Sequence, residues 1–425
     1  MNLHDRGWAS HSGGTSIPIH PAAESSTEQQ RTVPYAVEYA NGDFDLYGNG
    51  EPLFKIVTGT RSEFERLVRQ DAYSLAMKFV RSEFSVEGDL VAGVHFYNAR
   101  PRSRIQTGLL AALGSFGIGP IESWFQSKER AAQNIRFHYD QSNDFYAQFL
   151  DSRMVYSCAY FEDSGQSLEE AQFRKLRHIC RKLGLQPDER FLDVGCGWGG
   201  LITHAAEECG AFSTGCTLSV EQFNFASQQV AERGLGGRVL VELSDYRDVT
   251  GTYDKIASVG MFEHVGRRRL GRYFATLSRL LRPGGLLLNH GITRPEGIHD
   301  GPETLFVRRR VFPGGELARL SEVVRFAERA GFEVLDIENL RPHYALTCRA
   351  WVRGLQENAA RCLQRVEPCV YRTWLLALAA SAAAFERGRL NLDQVLLYKP
   401  GDPSRRPFTR DYMYRELKGS GEEGQ

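Results

Sequence analysis

From Arg190 to Tyr398, short apolar runs alternate with longer segments in which apolar residues recur every three to four positions. This is the pattern of buried strands separated by amphipathic helices. Strands are predicted at Arg190–Val194, Phe212–Thr217, Val239–Leu243, Lys255–Val259 and Gly285–Asn289, then at Phe332–Ile337 and Gln394–Tyr398. The alternation predicts an α/β fold with a doubly wound, Rossmann-like parallel sheet and helices on both faces. Between the last two strands, residues 345–387 predict a helical insertion. Its apolar run Leu375–Phe385 is alanine-rich and short for a bilayer span, so it reads as a buried helix.

The pattern before residue 100 differs. Strand-like pieces at Ala36–Tyr39, Phe44–Tyr47 and Leu53–Val57 precede a helical stretch near Glu63–Val80, and two further short strands follow at Phe84–Glu87 and Val91–Phe96. This predicts a small α+β domain over 31–99. Residues 1–30 carry few large apolar side chains and read as a flexible tail, and residues 401–425 form a C-terminal tail. Residues 100–129 mix basic, apolar and glycine positions and read as a linker or as a flap that touches lipid, leaving 130–400 as the main domain.

Composition narrows the class. With 42% hydrophobic residues the chain supports a packed core, and its formal net charge of zero supplies no global field for nucleic acid. Local basic clusters at Arg267–Arg269, Arg308–Arg310 and around Arg405, Arg406 and Arg410 read as solvated faces or as membrane contacts. The eight cysteines show no C-x-x-C pairing, which argues against a zinc site or a disulfide framework and fits a reducing cytoplasm.

The chemistry-bearing segment is Phe191-Leu-Asp-Val-Gly-Cys-Gly-Trp-Gly-Gly200, an apolar strand ending in an acid that runs into four glycines and then a helix. Gly195, Gly197 and Gly200 satisfy the spacing of a dinucleotide loop. The second strand, however, ends in the hydroxyls of Thr217 and Ser219 rather than in an acid, and the carboxylate stands before the glycines as Asp193. An acid there suits an amino group better than a pyrophosphate, which points to S-adenosylmethionine. Asp245-Tyr246-Arg247-Asp248 either brackets an adenine ring or forms a turn. Ligands of doubly wound sheets bind at the carboxyl ends of the strands. If the first, fourth and fifth strands are neighbours, Asp193, Glu263 and His290 share one crevice. Glu263 as a helix cap and His264 as a core histidine are the plainer alternatives.

Several runs occur in order over residues 130–400: Phe137–Tyr146, Met154–Phe161, the glycine loop, Thr217–Ser219, Asp245–Asp248, Phe262–Gly266, Val311–Gly315 and Leu340–Tyr344. Together they resemble the cyclopropane-fatty-acyl-phospholipid synthases, a family of S-adenosylmethionine-dependent methyltransferases. The resemblance implies transfer of a methyl group to a cis double bond of a phospholipid acyl chain, followed by loss of a proton as the ring closes. A related acyl methyltransferase giving a branched or methylene product is the alternative. It further implies a bound bicarbonate or carbonate as base, held at Cys158 and Ile292 through the backbone and at Glu263, His290 and Tyr344 through side chains. The cofactor positions implied are Tyr156, Ser157, Asp193, Gly195, Cys196, Gly197, Thr217, Leu218, Ser219, Gln222, Asp245 and Tyr246. The segment before residue 100 resembles the family's lipid-associated, sterol-carrier-like domain loosely. Unsaturated phospholipid at the inner membrane face becomes the expected partner of a cytoplasmic, peripheral enzyme, with a homodimer allowed. One departure is visible: where many members carry a cysteine in the late helix, this chain has Ser381.

Overall fold

The computed structural model describes residues 33–99, 142–298, 306–307, 309–311 and 316–414. The expected tail at 1–30 and the linker or flap at 100–129 therefore lie outside the described residues. The chain divides into two compact units, residues 1–102 and 103–425.

In the first unit β1 (Tyr35–Tyr39), β2 (Phe44–Tyr47), β3 (Phe54–Thr58) and β4 (Ser85–Gly88) form a sheet of order β2-β1-β3-β4, with β1 parallel to β3 and the other pairs antiparallel. Two helices, Arg61–Val68 and Ala72–Val80, occupy the predicted helical stretch, started by a Thr60/Glu63 capping box and by Asp71. The expected strand at Val91–Phe96 is instead part of a helix, Leu90–Ala99. Its β-branched composition favours a strand, but Gly88 at φ +86° ends β4, and Asp89 Oδ1 then accepts the Ala92 amide at 3.0 Å, which starts a helix.

The second unit holds a sheet of order β10-β11-β9-β8-β5-β6-β7. Its strands are β5 (Arg190–Val194), β6 (Phe212–Thr217), β7 (Val239–Leu243), β8 (Tyr253–Val259), β9 (Leu281–Thr293), β10 (Glu333–Asn339) and β11 (Asn391–Tyr398). Strands β5 to β9 are parallel, as expected of the doubly wound sheet, and β11 runs antiparallel to both β9 and β10. The helical insertion explains the reversal. The chain leaves β10 at Asn339, passes through the helices Arg341–Glu357 and Pro368–Glu386, and starts β11 with Asp393 opposite Asn339. Both ends of the insertion sit at one edge of the sheet, so β11 has to run back along it.

Strand period two divides the core. Leu192, Val194 and Leu287 face the layer holding Tyr273, Phe274, Leu277 and Val323, while Phe191, Leu286 and Leu288 face the layer holding Leu176, Ile179, Leu201 and Ile202. Among the described residues, Pro368–Glu386 is the one helix long and apolar enough to cross a bilayer, and half of its apolar window is buried within the fold. The expected tail after residue 400 is anchored at several points before Tyr414, though Phe408 and Tyr414 are exposed. Met413 is buried, Tyr412 Oη donates to the Lys182 carbonyl at 3.0 Å and Arg410 pairs with Asp336 at 3.2 Å. Arg406 pairs with Glu333 at 3.1 Å and Arg267 with Glu322, so much of the expected basic surface is spent on internal acids.

Candidate active site

After β5 the chain steps outward to β6 and β7 and then returns to the other side of β5 as β8. The order of strands reverses there, and a cavity opens at their carboxyl ends. Gly195, Gly197 and Gly199 take φ of +82°, +55° and +89°, a region in which a Cβ is strained. The amides of Gly195 and Cys196 both donate to the Cys216 carbonyl, at 3.1 and 3.0 Å, and pin the loop to β6. Open space surrounds the Cβ direction of Gly197, and the helix Gly200–Cys209 begins without a side-chain cap. The loop thus presents bare backbone to the cavity.

All the expected cofactor residues except Ser219 line this cavity. Ser219 is fully buried and caps the next helix, its Oγ accepting the Gln222 amide at 3.3 Å. Thr217 Oγ1 donates to Gln222 Oε1 at 2.8 Å and fixes that carboxamide in the wall. The segment Asp245–Asp248 meets both of its readings. It is a turn closed by the Asp248 amide on the Asp245 carbonyl at 2.9 Å, and Asp245 and Tyr246 line the cavity. The Arg247 guanidinium forks onto the Asp245 carboxylate, Nε to Oδ1 at 2.7 Å, and holds it in place.

Asp193 fits an ammonium donor. Its Oδ1 is buried without a hydrogen-bond partner, and burial pushes its pKa up to about 7 despite the nearby charge of Lys175. Lys175, from the Leu168–Leu183 helix, lines the same cavity and was not singled out above. The available signal was a lysine on the apolar face of an amphipathic helix, between Ala171 and Ile179.

Behind the cavity, β8 leads into a single 3₁₀ turn, Phe262–His264. That turn gives Met261 and His264 to the cavity and aims Glu263 at β9, where its Oε1 accepts the Ile292 amide at 2.8 Å. Strands β5, β8 and β9 are indeed neighbours, yet Glu263 and His290 stand outside the cavity that Asp193 lines, as do Cys158, Ile292 and Tyr344. The one-crevice expectation is corrected: of Asp193, Glu263 and His290, Asp193 alone lines the cavity. Burial raises Glu263 to about 7, and its Oε2 has no partner. Gly291 permits this arrangement, since a Cβ there would lie 2.1 Å from the Phe262 ring and 2.9 Å from Glu263 Oε2.

His290 alternates with Gly291 and follows Leu286 and Leu288 to the other face of the sheet. Its Nδ1 lies 3.0 Å from Gln394 Nε2, and Nε2 is buried without a partner. With the Gln394 carboxamide in this orientation Nδ1 accepts and the ring proton sits on Nε2. Burial, with Lys175 and Lys182 nearby, keeps the imidazole neutral. Tyr344 stacks on Phe385 at 4.6 Å, and its phenol is raised by burial and then by neighbours that include Tyr156, Cys158 and Glu263. Cys158 is fully buried with its thiol pKa raised, its Sγ 3.2 Å from the Ala159 carbonyl. The Ser381 hydroxyl donates to its own helix, at the Ala377 carbonyl. Glu263 Oε2 and His290 Nε2 are thus two buried, unpaired polar atoms, one able to accept and one able to donate.

A family model described as mycolic acid cyclopropane synthetase matches residues 126–395. A probable fatty acid methyltransferase of Pseudomonas putida is 40% identical, over 91% of this chain and 98% of its own length. The tuberculostearic acid methyltransferase UfaA1 of Mycobacterium tuberculosis is 39% identical over 65% of this chain and 67% of its own. Among solved structures, the mycolic acid cyclopropane synthase CmaA1 complexed with SAH and CTAB superposes with a TM-score of 0.61 at 35% identity, covering 63% of this chain and 98% of that one.

Proposed function

The chain belongs to the mycolic acid cyclopropane synthetase family, and from that premise we propose that it methylates a cis double bond of an unsaturated phospholipid acyl chain and then removes a proton so that a cyclopropane ring closes. It is an S-adenosylmethionine-dependent methyltransferase of a family that modifies fatty acyl chains. The finer reading rests on one observation: two buried polar atoms, Glu263 Oε2 after β8 and His290 Nε2 on β9, have no hydrogen-bond partner among the described residues.

When bound, S-adenosylmethionine supplies an electrophilic methyl group. The chain's own contribution begins with position. The glycine loop, Asp193, Gln222 and the Asp245–Arg247 fork hold the donor, and an alkene, being a weak nucleophile, gains most from being aligned in advance. A methylated alkene is a carbocation, which needs a dry wall and a base. Tyr344, Phe385, Trp351 and Tyr156 stack as an aromatic wall, Tyr156 on Trp351 at 4.8 Å and Tyr344 on Phe385 at 4.6 Å, whose faces favour a nearby cation. Glu263, near neutrality in pKa, is suited to accept a proton, while neutral His290 donates from Nε2. In this reading Glu263 and His290 would help to hold a bicarbonate, which would supply a base that passes the proton on to Glu263. An acceptor carboxylate and a donor imidazole suit an oxyanion that both donates and accepts. We also place the enzyme peripherally on the cytoplasmic face of the membrane, where its substrate resides.

A second reading, a methyl-branched or methylene product from the same cation, is favoured by the matches to fatty acid and tuberculostearic acid methyltransferases. Incubation with vesicles of cis-unsaturated phospholipid and methyl-labelled S-adenosylmethionine separates the two. A ring-bearing acyl chain by NMR supports the first, and a branched or methylene chain replaces it with the second. Folded, cofactor-binding protein that labels no acyl chain would sink both.

A further inference from the structure

Lys175 is a charged residue in the cavity wall whose task the proposed chemistry leaves open. It is 2% exposed, and its Nζ donates to Ser157 Oγ at 3.1 Å. An ammonium has three donors, of which one hydroxyl satisfies one. Asp193, 3% exposed, lines the same cavity with Oδ1 unpartnered, and the described residues show no ion pair between the two. Burial opposes both charges, bringing Lys175 down to about 8 against the pull of Asp151 first and Asp193 second, and Asp193 up to about 7 against the pull of Lys175. A buried ammonium with donors to spare and a buried carboxylate oxygen without a partner, both lining one cavity, are costly unless a ligand completes them. The methionine end of the cofactor carries an ammonium and a carboxylate on one carbon, the complementary pair.

We propose that Lys175, steered by Ser157, binds the α-carboxylate of S-adenosylmethionine while Asp193 takes its α-ammonium, a reciprocal clamp that selects a cofactor with an intact amino-acid end. The assignment rests on the cofactor reading above. Ser157 belongs to the same wall as Tyr156, so the clamp also ties the methionine end to the aromatic side of the cavity. Nothing in the clamp takes part in bond making. Its effect is on binding and on the placement of the sulfonium.

The test is calorimetric and needs no turnover. S-adenosylhomocysteine and its decarboxylated analogue are titrated into wild type and K175M. The wild type is expected to prefer the intact ligand by about 10- to 100-fold, the range of a charge-assisted hydrogen bond. K175M is expected to erase that preference, weakening S-adenosylhomocysteine while leaving the analogue within about twofold, and K175R to restore part of it. Equal weakening of both ligands, or of neither, overturns the assignment. Should K175M fail to fold, K175Q keeps a hydrogen bond to Ser157 and gives the same comparison, and a wild type indifferent to the carboxylate overturns the assignment without any variant. A wild type that binds neither ligand overturns the cofactor reading and the clamp with it, whereas tight binding without coupling removes the clamp alone.

Discussion

Glu263 Oε1 accepts the backbone amide of Ile292 at 2.8 Å, so the acid that follows β8 is fastened to the end of β9 rather than left to swing in the cofactor cavity. The bond orients the carboxyl and leaves Oε2 as its unpaired end. Burial then makes the charged form costly, and the group titrates near neutrality instead of in the ordinary carboxylate range.

Replacing Glu263 by Gln keeps the acceptor for Ile292 and removes the base. Acyl methylation is expected to fall by about 10²- to 10³-fold with cofactor affinity unchanged. The wild-type rate should rise with pH through about 7, as Glu263 loses its proton, and the variant should lack that inflection. Stability gives an independent sign. The folded pKa lies above the unfolded value of 4.5, so the native state holds the extra proton and the wild type loses stability as pH rises from there to about 7. E263Q should therefore gain on wild type in thermal melts across that window, and a gap that does not change with pH would argue against a buried titrating acid.

Gly291 is expected to be intolerant of any side chain. In G291A the new Cβ would meet the Phe262 ring and Glu263 Oε2, so either the 3₁₀ turn or β9 must shift. Overpacking of this kind costs about 1–3 kcal/mol, and the displaced acid should lower turnover further than the melting temperature alone predicts. Differential scanning calorimetry with single-turnover rates checks both. Wild-type turnover in a folded G291A would show that Glu263 needs no fixed place.

Gln394 acts through His290. With the amide gone in Q394L, nothing holds Nδ1 as an acceptor, and the imidazole is free to change tautomer or rotate. Turnover should drop by roughly 10- to 100-fold while the dissociation constant for S-adenosylhomocysteine stays put. The imidazole nitrogen shifts in NMR report the tautomer directly, and a ring that keeps its proton on Nε2 in Q394L contradicts this role.

Fully buried Lys182 bridges Asp336 at 3.0 Å and Glu338 at 2.6 Å. K182M leaves Asp336 with Arg410 alone and Glu338 with His178 alone, and should cost up to about 3–5 kcal/mol, seen as a fall in melting temperature. Burial raises Glu338, but the hydrogen bond from His178 and the charge of Lys182 outweigh it and hold the acid at about 2. Its stabilisation is thus present above the unfolded value of 4.5 and lost as pH falls towards 2, on the order of 2–3 kcal/mol. The melting gap between wild type and E338Q should close over that acid range. A gap independent of pH would mean that the cluster is held by shape and not by charge.

The parts written locally were legible in advance. Strands β5, β6 and β7 lie where their apolar runs placed them, and Gly195, Gly197 and Gly199 hold the positive φ that a sharp strand-to-helix turn demands. Asp193 before the glycines and the hydroxyls after β6 pointed to the cofactor, because each acts within a few residues of its own backbone. Where a neighbour distant in the chain decided, the sequence was ambiguous. Val91–Phe96 has the composition of a strand, yet Gly88 and Asp89 turn it into a helix. The direction of β11 depended on both ends of a long insertion meeting one sheet edge. Lys175 shows as important only once Ser157 and Asp193 stand around it, and Gly291 only once Phe262 and Glu263 press against β9. Sequence alone determined the strands, the glycine loop and the residue types of the site, since dihedral preference and periodicity are properties of short segments. The tertiary structure decided that Glu263 binds Ile292, that His290 points to the opposite face, and that both stand outside the cavity that Asp193 lines. Those depend on which strands are neighbours and which way each side chain alternates, and a slip of one residue along β9 would reverse them.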